Sequence, residues 1–367
     1  MGKLDKLVAD INKEWKEDIA ARGIPVVEVQ KIPFTSSRLN YMTYGGIPRG
    51  RLIEFSGDEG GGKTTTALDI VKNAQKLFQE EWEAELSNTK DDTRRKYLES
   101  RGPQKVVYAD CENTLDLEWA TKLGVDIDNV YVIKPQTQVA EDIFQILLEM
   151  IDTDEVGLVV LDSIGVMVSK QAYEKEVGEK TYGGISMPLT RFSELAVLSC
   201  RKYNSTVLGI NQMRDDLNSP YGGKTTTGGR AWRHNCSMRL QFAKGDLLDE
   251  SGSKVPKTTT DCPAGNKVMV SILKTKSCPP NRRTGSYTLM YETGIDDVAD
   301  LVDTAMKYGI INKAGAWFSI IDIETGEIMT DEEGNTLKFQ GQLNLVDFLR
   351  DNDIILDDIK QRLSDLM

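Results

Sequence analysis

Gly57-Asp58-Glu59-Gly60-Gly61-Gly62-Lys63-Thr64 fits G-x-x-x-x-G-K-[ST] at every fixed position. Its flanks make mechanical sense of the pattern. Leu52-Ile53-Glu54-Phe55 reads as a short buried strand, and Thr65-Thr66-Ala67-Leu68-Asp69-Ile70-Val71 reads as a helix. The glycines let the backbone curl so that its N–H groups and the helix N-terminus face a phosphate. Lys63 is placed to reach the β- and γ-phosphates, and Thr64 to hold magnesium. This is a nucleotide site of the P-loop kind.

Composition narrows the remaining possibilities. A chain of 367 residues suggests two or three structural units. It has no apolar run long enough for a membrane span, and its N-terminus lacks the apolar centre of a signal peptide. Five cysteines without a C-x-x-C pair suit a reducing cytoplasm. The net charge of −12 argues against a protein that coats nucleic acid non-specifically over its whole surface, but leaves room for a local basic groove. A single histidine, His234, argues against a Ser-His-Asp triad or a multi-histidine metal site.

From residue 51 a βαβ rhythm runs for over two hundred residues. Lys105–Ala109, Val130–Ile133, Gly157–Leu161 and Thr206–Ile210 are apolar strand candidates separated by helical patterns, the mark of a mostly parallel sheet covered on both faces. Met238–Ala243, Val268–Leu273 and Ser286–Tyr291 follow closely, so the far side of the sheet is expected to be antiparallel. The charged stretch between Gln75 and Gln104 reads as a helical extension of the P-loop helix. Residues 3 to 20 have helical spacing, Gly23 ends that helix, and Pro25–Val29 reads as a strand. On the residues alone, this helix is better read as docked on its own domain than as offered to a neighbour. After residue 294 come an amphipathic helix at Ile295–Tyr308, strands at Trp317–Ile323 and Lys338–Phe339, and helices at Leu343–Arg350 and Asp357–Met367, forming a small α+β unit.

Hydrolysis needs more than a phosphate loop. Leu158-Val159-Val160-Leu161-Asp162 is an apolar strand ending in a carboxylate, the Walker-B pattern for a metal ligand at the carboxyl end of a sheet. Val107-Tyr108-Ala109-Asp110-Cys111-Glu112 runs into acids at the same edge. Glu112 is then either a general base for water or a helix cap. Asn211-Gln212 puts amides at the end of a fourth strand, where they can sense a γ-phosphate. The Gly-rich loop that follows, Met213 to Trp232, mixes glycines, hydroxyls, cations and Tyr221; it is either a single-stranded nucleic-acid contact or a surface loop. Lys267 to Arg283 holds five basic residues and no acidic one, fitting a phosphate contact or a solvated edge strand.

Taken together, these residues resemble the RecA family of DNA strand-exchange recombinases, from about Ile32 to Ile320. The resemblance is carried by Tyr108–Asp116, Lys122–Asn129, Asn211–Arg214, Thr225–Gly229 and Lys313–Trp317, in the family's order. It implies a RecA-type core at 32–293 with an insertion at about 76–104, a polymerisation helix and strand at 1–31, and a C-terminal α+β domain at 294–367. The polymerisation role replaces the docked-helix reading. It also implies ATP bound by Gly57, Asp58, Glu59, Gly60, Gly61, Gly62, Lys63, Thr64 and Thr65, with Asp116 and Trp119 at the adenine base and Mg2+ on Thr64 and Asp162. Glu112 becomes the water-activating glutamate and Gln212 the γ-phosphate sensor. Lys274 and Lys276 become a pair reaching a neighbour's nucleotide.

The same resemblance implies two DNA loops. The first, Lys170 to Arg191, includes Tyr182 and Arg191. The second, Met213 to Arg233, includes Arg214, Leu217, Tyr221, Lys224, Thr225, Thr226, Thr227, Gly228, Gly229, Arg230 and Arg233. Some positions depart from the family: Tyr182 stands where a methionine is common, Met187-Pro188-Leu189 where a basic residue is usual, and His234 at an interface position usually aromatic. The insertion at 76–104 and the Glu324–Asn335 segment, which resembles phage UvsX-type recombinases, suggest a divergent, viral branch. The implied partners are single- and double-stranded DNA, further copies of the chain in a helical filament, and single-strand-binding and loader proteins, with no membrane. The rival expectations are a ring-forming motor of the same fold and a non-hydrolysing recombination mediator.

Overall fold

Leu158-Val159-Val160-Leu161 has no polar side to turn to water, so a strand built from it needs cover on both faces. The computed structural model describes residues 2–15, 29–176, 179, 184–215, 223–250, 252–256, 258, 262–322, 325–331 and 333–366. A helix α1 (Lys3–Trp15) stands first, followed by β1 (Lys31–Ile32), α2 (Ser37–Thr43), β2 (Ile47–Pro48), β3 (Leu52–Gly57) and α3 (Lys63–Asn88). The alternation continues through α4 (Asp92–Arg101), β4 (Lys105–Asp110), α5 (Leu117–Lys122), β5 (Val130–Ile133), α6 (Ala140–Ile151) and β6 (Val156–Asp162). Next come α7 (Lys170–Tyr173), α8 (Ser186–Tyr203), β7 (Thr206–Asp215), β8 (Lys224–Thr226) and α9 (Gly229–Asn235). Then follow β9 (Met238–Leu248), β10 (Lys254–Val255), β11 (Gly265–Thr275), β12 (Thr284–Met290) and β13 (Gly294–Ile295). The C-terminal part holds α10 (Asp297–Lys307), β14 (Ile311–Ala314), β15 (Trp317–Ile320), β16 (Lys338–Gln340), α11 (Gln342–Arg350) and α12 (Asp353–Leu366).

The central sheet has the order β13-β12-β11-β9-β3-β7-β6-β4-β5, with β10 paired to β9 and β8 to β7. Strands from β5 across to β9 run parallel, while β11, β12 and β13 are antiparallel to their neighbours. The antiparallel side therefore begins at β11, one strand later than the sequence suggested. The strand alternation divides the core in two. Leu158 and Val160 join Ile53, Phe55 and α3 on one face, whereas Val159 and Leu161 join Leu52, α6 and α8 on the other.

The charged stretch after Gln75 lengthens α3 to Asn88, and α4 then folds back along it as a hairpin. Trp82 Nε1 donates to the Leu98 carbonyl at 2.9 Å, and Arg94 pairs with Glu85. At the base of the hairpin, Arg49 binds Glu81 and Gln104, both at 2.6 Å. Helix α1, taken by itself, is amphipathic, with Leu4, Leu7 and Trp15 exposed. The expected continuation to residue 20 and nearly all of the strand at 25–29 lie outside the described residues. No helix among the described residues is long and apolar enough to cross a membrane.

The C-terminal elements pack a three-stranded sheet, β14-β15-β16, against α10, α11 and α12 around their own apolar cluster. Helix α12 starts at Asp353, four residues before the expected Asp357. One buried acid ties α10 to α2: Asp300 accepts a hydrogen bond from Ser36 Oγ, which also accepts from the Leu39 N–H to cap α2. Burial pushes the Asp300 carboxyl up to about 8, with Lys267 opposing the shift and Asp303 and Asp296 adding to it. A carboxyl that holds its proton more tightly when folded stabilises the fold fully below the ordinary carboxylate range and loses that contribution as pH rises to about 8. We therefore expect the melting temperature of the wild type to decline, relative to Asp300→Asn, between pH of about 4 and about 8. Parallel pH profiles of the two proteins would contradict this reading of Asp300.

Candidate nucleotide site

Strand β3 sits between β7 and β9, so Gly57 leaves the sheet level with Gln212 on one side and Phe242 on the other. A Cβ on Gly57 would lie 2.2 Å from the Phe242 carbonyl oxygen, so only glycine fits this exit. Gly62 has φ of 87° and starts α3 with no side-chain cap, which leaves the first amides of α3 for a ligand. Lys63 is buried and curls back, its Nζ donating to the Gly57 carbonyl at 3.1 Å and the Asp58 carbonyl at 2.7 Å. Burial lowers its pKa, while Asp162, Glu112, Asp58 and Glu59 pull it back up.

Two acids meet this loop from neighbouring strands. Asp162 closes β6 and stands in register with Asp110 at the end of β4. Its Oδ2 accepts from Thr64 Oγ1 at 3.0 Å and from Tyr108 OH at 2.7 Å. Burial pushes the Asp162 carboxyl up to about 6; these two hydrogen bonds oppose the shift, and the charges of Glu112 and Asp110 add to it. Glu112 caps no helix. Its Oε1 accepts from Gln212 Nε2 at 3.0 Å and also from Ser163 Oγ. Between them, burial pushes the Cys111 thiol up to about 12, so it is protonated and unreactive at neutral pH.

A cavity of about 470 Å³ opens beside the loop, lined by Gly60 to Thr65 together with Trp119, Lys244, Asn266, Leu289 and Tyr291. Tyr291 OH donates to Asn266 Oδ1 at 3.0 Å, fixing its ring among these residues. Asp116 does not line the cavity. Its carboxylate caps α5, accepting from the Trp119 N–H at 2.9 Å, and so sets where the indole stands. Sequence reasoning missed Tyr291, Asn266, Lys244, Ser163 and Tyr108. Most of these arrive through long-range strand pairing, and no local spacing marks them.

The loop after Gln212 begins and ends as a ribbon: β8 pairs with β7, Met213 opposite Thr226 and Asp215 opposite Lys224. Arg214 Nη2 donates to the Gly165 carbonyl at 2.7 Å. Lys224 Nζ reaches both Asp58 carboxylate oxygens at 2.7 Å, tying the ribbon to the phosphate loop. Arg233 is likewise engaged, with Thr225 Oγ1 at 3.2 Å and the Gly229 carbonyl at 2.9 Å. Thr226 is buried, Thr227 and Gly228 lead into α9, and Arg230 on its first turn is exposed. Arg191 is exposed on α8, 3.9 Å from Glu194. Tyr182, Leu217 and Tyr221 lie outside the described residues.

The sheet puts Lys274 and Lys276 at its other end. Gly57 is level with Phe242 and Val270, whereas Lys274 is level with Arg239 and Glu54. Three residues of strand, about 10 Å, therefore separate the levels of Lys274 and the phosphate loop within one chain. There Lys274 Nζ donates to the Arg233 and His234 carbonyls at 2.8 and 2.6 Å, and Lys276 Nζ to His234 at 3.1 Å. Burial, then the Lys276 charge, lowers the Lys274 pKa.

A phosphate loop leaving a central parallel strand, with two acids and an amide converging on it at the carboxyl edge, defines a P-loop ATPase. The RecA N-terminal domain matches residues 3–81 and 99–296, and the RecA C-terminal domain matches residues 299–367. The chain is 30% identical over 364 residues to Protein RecA of Ruminococcus albus, covering 98% of this chain and 79% of that one. It is 30% identical to Protein RecA of Aquifex pyrophilus (89% and 84% covered) and 29% identical to that of Streptomyces ambofaciens (99% and 85%). The chain belongs to the RecA family. It is a RecA-family recombinase, a DNA-dependent ATPase of a family that binds ATP and DNA and forms filaments.

The aromatic lining carries a direct test. Trp119→Ala is expected to weaken ATP binding about tenfold, the size of one lost base–aromatic stack. An unchanged dissociation constant by calorimetry would remove Trp119 from the base.

Proposed function

We propose that Gly57 to Thr65 hold the ATP triphosphate, that Thr64 and Asp162 hold a magnesium ion on it, and that Glu112 takes the proton of the attacking water. The residues present fit these groups. Gly60 to Thr65 line one cavity together with the aromatic residues Trp119 and Tyr291, and a hydroxyl and a carboxylate oxygen converge at 3.0 Å. Bound magnesium would neutralise phosphate charge. Roles for Asp116 and Trp119 follow from the same cavity: the indole stacks on adenine and Asp116 positions it.

The observation that carries this reading is the Gln212–Glu112 hydrogen bond. Gln212 begins the loop proposed to grip DNA, yet its amide is bonded to the carboxylate that would activate water. When that amide turns to a γ-phosphate, Glu112 is freed for water and the end of β7 shifts, carrying the base of the loop with it. DNA held by the loop and chemistry at Glu112 are thus linked through one side chain.

In the filament, Lys274 and Lys276 reach a neighbour's nucleotide, since their own lies at the other end of the sheet. Head-to-tail contacts of this kind do not close and generate an open helix. Residues 1–31 serve as the polymerisation segment, 32–293 as the ATPase core and 294–367 as the C-terminal domain. The DNA-facing set is Tyr182, Arg191, Arg214, Leu217, Tyr221, Lys224 to Arg230 and Arg233, with base pairing supplying the sequence reading. Single-strand-binding and loader proteins complete the partners, in a cytoplasmic setting that suits five thiols with three buried. The 76–104 insertion and the Glu324–Asn335 segment, which resembles phage UvsX-type recombinases, support a divergent branch.

Two outcomes follow. Glu112→Gln should lower DNA-stimulated hydrolysis about 10²- to 10⁴-fold while ATP-dependent binding of single-stranded DNA persists; hydrolysis at the wild-type rate would remove Glu112 from the chemistry. Recombinase function itself is read by joint-molecule formation between a single strand and a homologous duplex. Product equally abundant with a heterologous duplex, or absent despite DNA-stimulated hydrolysis, would contradict it.

A further inference from the structure

Under the DNA loop lies a buried carboxylate that the reaction does not use. Glu54, in the middle of β3, is 0% exposed. Its Oε2 pairs with Arg239 Nε of β9, and its Oε1 accepts from Trp232 Nε1 of α9 and from Asn211 Nδ2 of β7, each at 3.0 Å. A charge buried so deeply is tolerated only because three donors surround it. The same donors continue into the loop. Asn211 Nδ2 also donates to the Thr227 carbonyl at 2.8 Å, and Arg239 Nη2 donates to Thr226 Oγ1 at 3.3 Å. The indole fits closely here: a Cβ on Gly209, level with Glu54 on β7, would lie 2.7 Å from Trp232 Cζ2.

Asn211 precedes Gln212, and successive strand residues point to opposite faces. One amide therefore reaches Glu112 at the ATP site while the next one back reaches Glu54 beneath the loop. Asn211 Oδ1 and Thr227 Oγ1 are buried without a partner among the described residues. These two unsatisfied groups cost free energy as the loop now stands, which a rearranged loop end that pairs them would recover.

We propose that Glu54 is a positioning residue for DNA: it anchors Asn211, Trp232 and Arg239 so that Thr225–Gly229 is held in the form that grips a single strand when ATP is bound. This rests on the reading of that segment as DNA-binding, and goes beyond it by naming what presets it. Loss of Glu54's charge should loosen the loop without touching the phosphates.

The test is steady-state ATP hydrolysis by the full chain, titrated with single-stranded DNA, for wild type, Glu54→Gln and Trp232→Phe. Glu54→Gln should raise the DNA concentration for half-maximal stimulation about tenfold or more, as expected for loss of hydrogen bonds to a charged group, with the rate at saturating DNA recovered. DNA-free hydrolysis and ATP affinity should stay within about twofold, which general misfolding would not allow. Trp232→Phe keeps the ion pair and the ring, so it should give a smaller shift. The double variant should be no worse than Glu54→Gln alone, because both act through one carboxylate. Unchanged DNA dependence in both variants overturns the proposal, as does an additive double variant. If Glu54→Gln loses ATP binding, Trp232→Phe decides between the same two results. A wild type indifferent to DNA would instead sink the loop assignment beneath it.

Discussion

Backbone pairing of β3 with β7 and β9 decides where the charges of this molecule can act. Gly57 level with Gln212 and Phe242 puts the phosphate loop, the Gln212 amide and the mouth of the cavity at one edge. A slip of one residue would turn every side chain of β3 to the other face, burying Phe55 against the wrong helices and aiming Glu54 away from Arg239. The apolar runs on both sides fix that register, so the core's packing specifies the geometry of the site. Function here is a consequence of where hydrophobic residues alternate.

The same register separates two clusters of charge. At the carboxyl edge, Asp162, Glu112, Asp58 and Glu59 act on Lys63, and burial, with the charges of Glu112 and Asp110 added, raises the Asp162 pKa. Incoming cationic charge is favoured in such a place. At the other end, Lys274 and Lys276 hold the last carbonyls of α9, where cations suit a helix C-terminus. A chain with acids at one edge and cations at the opposite one carries charge complementary to its own copy. In the proposed head-to-tail assembly, the acids of one copy would meet the cations of the next.

Much of this was legible in the sequence because it is encoded locally. The phosphate loop, the strand ending at Asp162 and the strand running into Glu112 depend on spacing within ten residues, and each is where that spacing put it. The parallel order was legible from the βαβ rhythm, but the direction of β9 was not, since a short connection does not say whether a strand pairs with the one before it. Tyr291 and Asn266 were invisible because they reach the cavity through β11 and β12, more than 150 residues after the loop they serve. Asp116, expected at the base, caps α5. A side chain that can satisfy an orphan helix amide does so. The helical hairpin of α3 and α4 was readable as helix, but its fold-back depended on Trp82 finding the Leu98 carbonyl.

The central claim is that one ATP site draws its groups from two protomers. Mixing Glu112→Gln with a Lys274→Ala, Lys276→Ala double variant tests it most directly, by DNA-stimulated ATP hydrolysis. Each protein alone should be nearly inactive. In an equal mixture, about a quarter of head-to-tail interfaces combine an intact Glu112 with intact lysines, so activity should reappear well above either parent. A mixture no more active than the mean of its two components would contradict a site shared between neighbours.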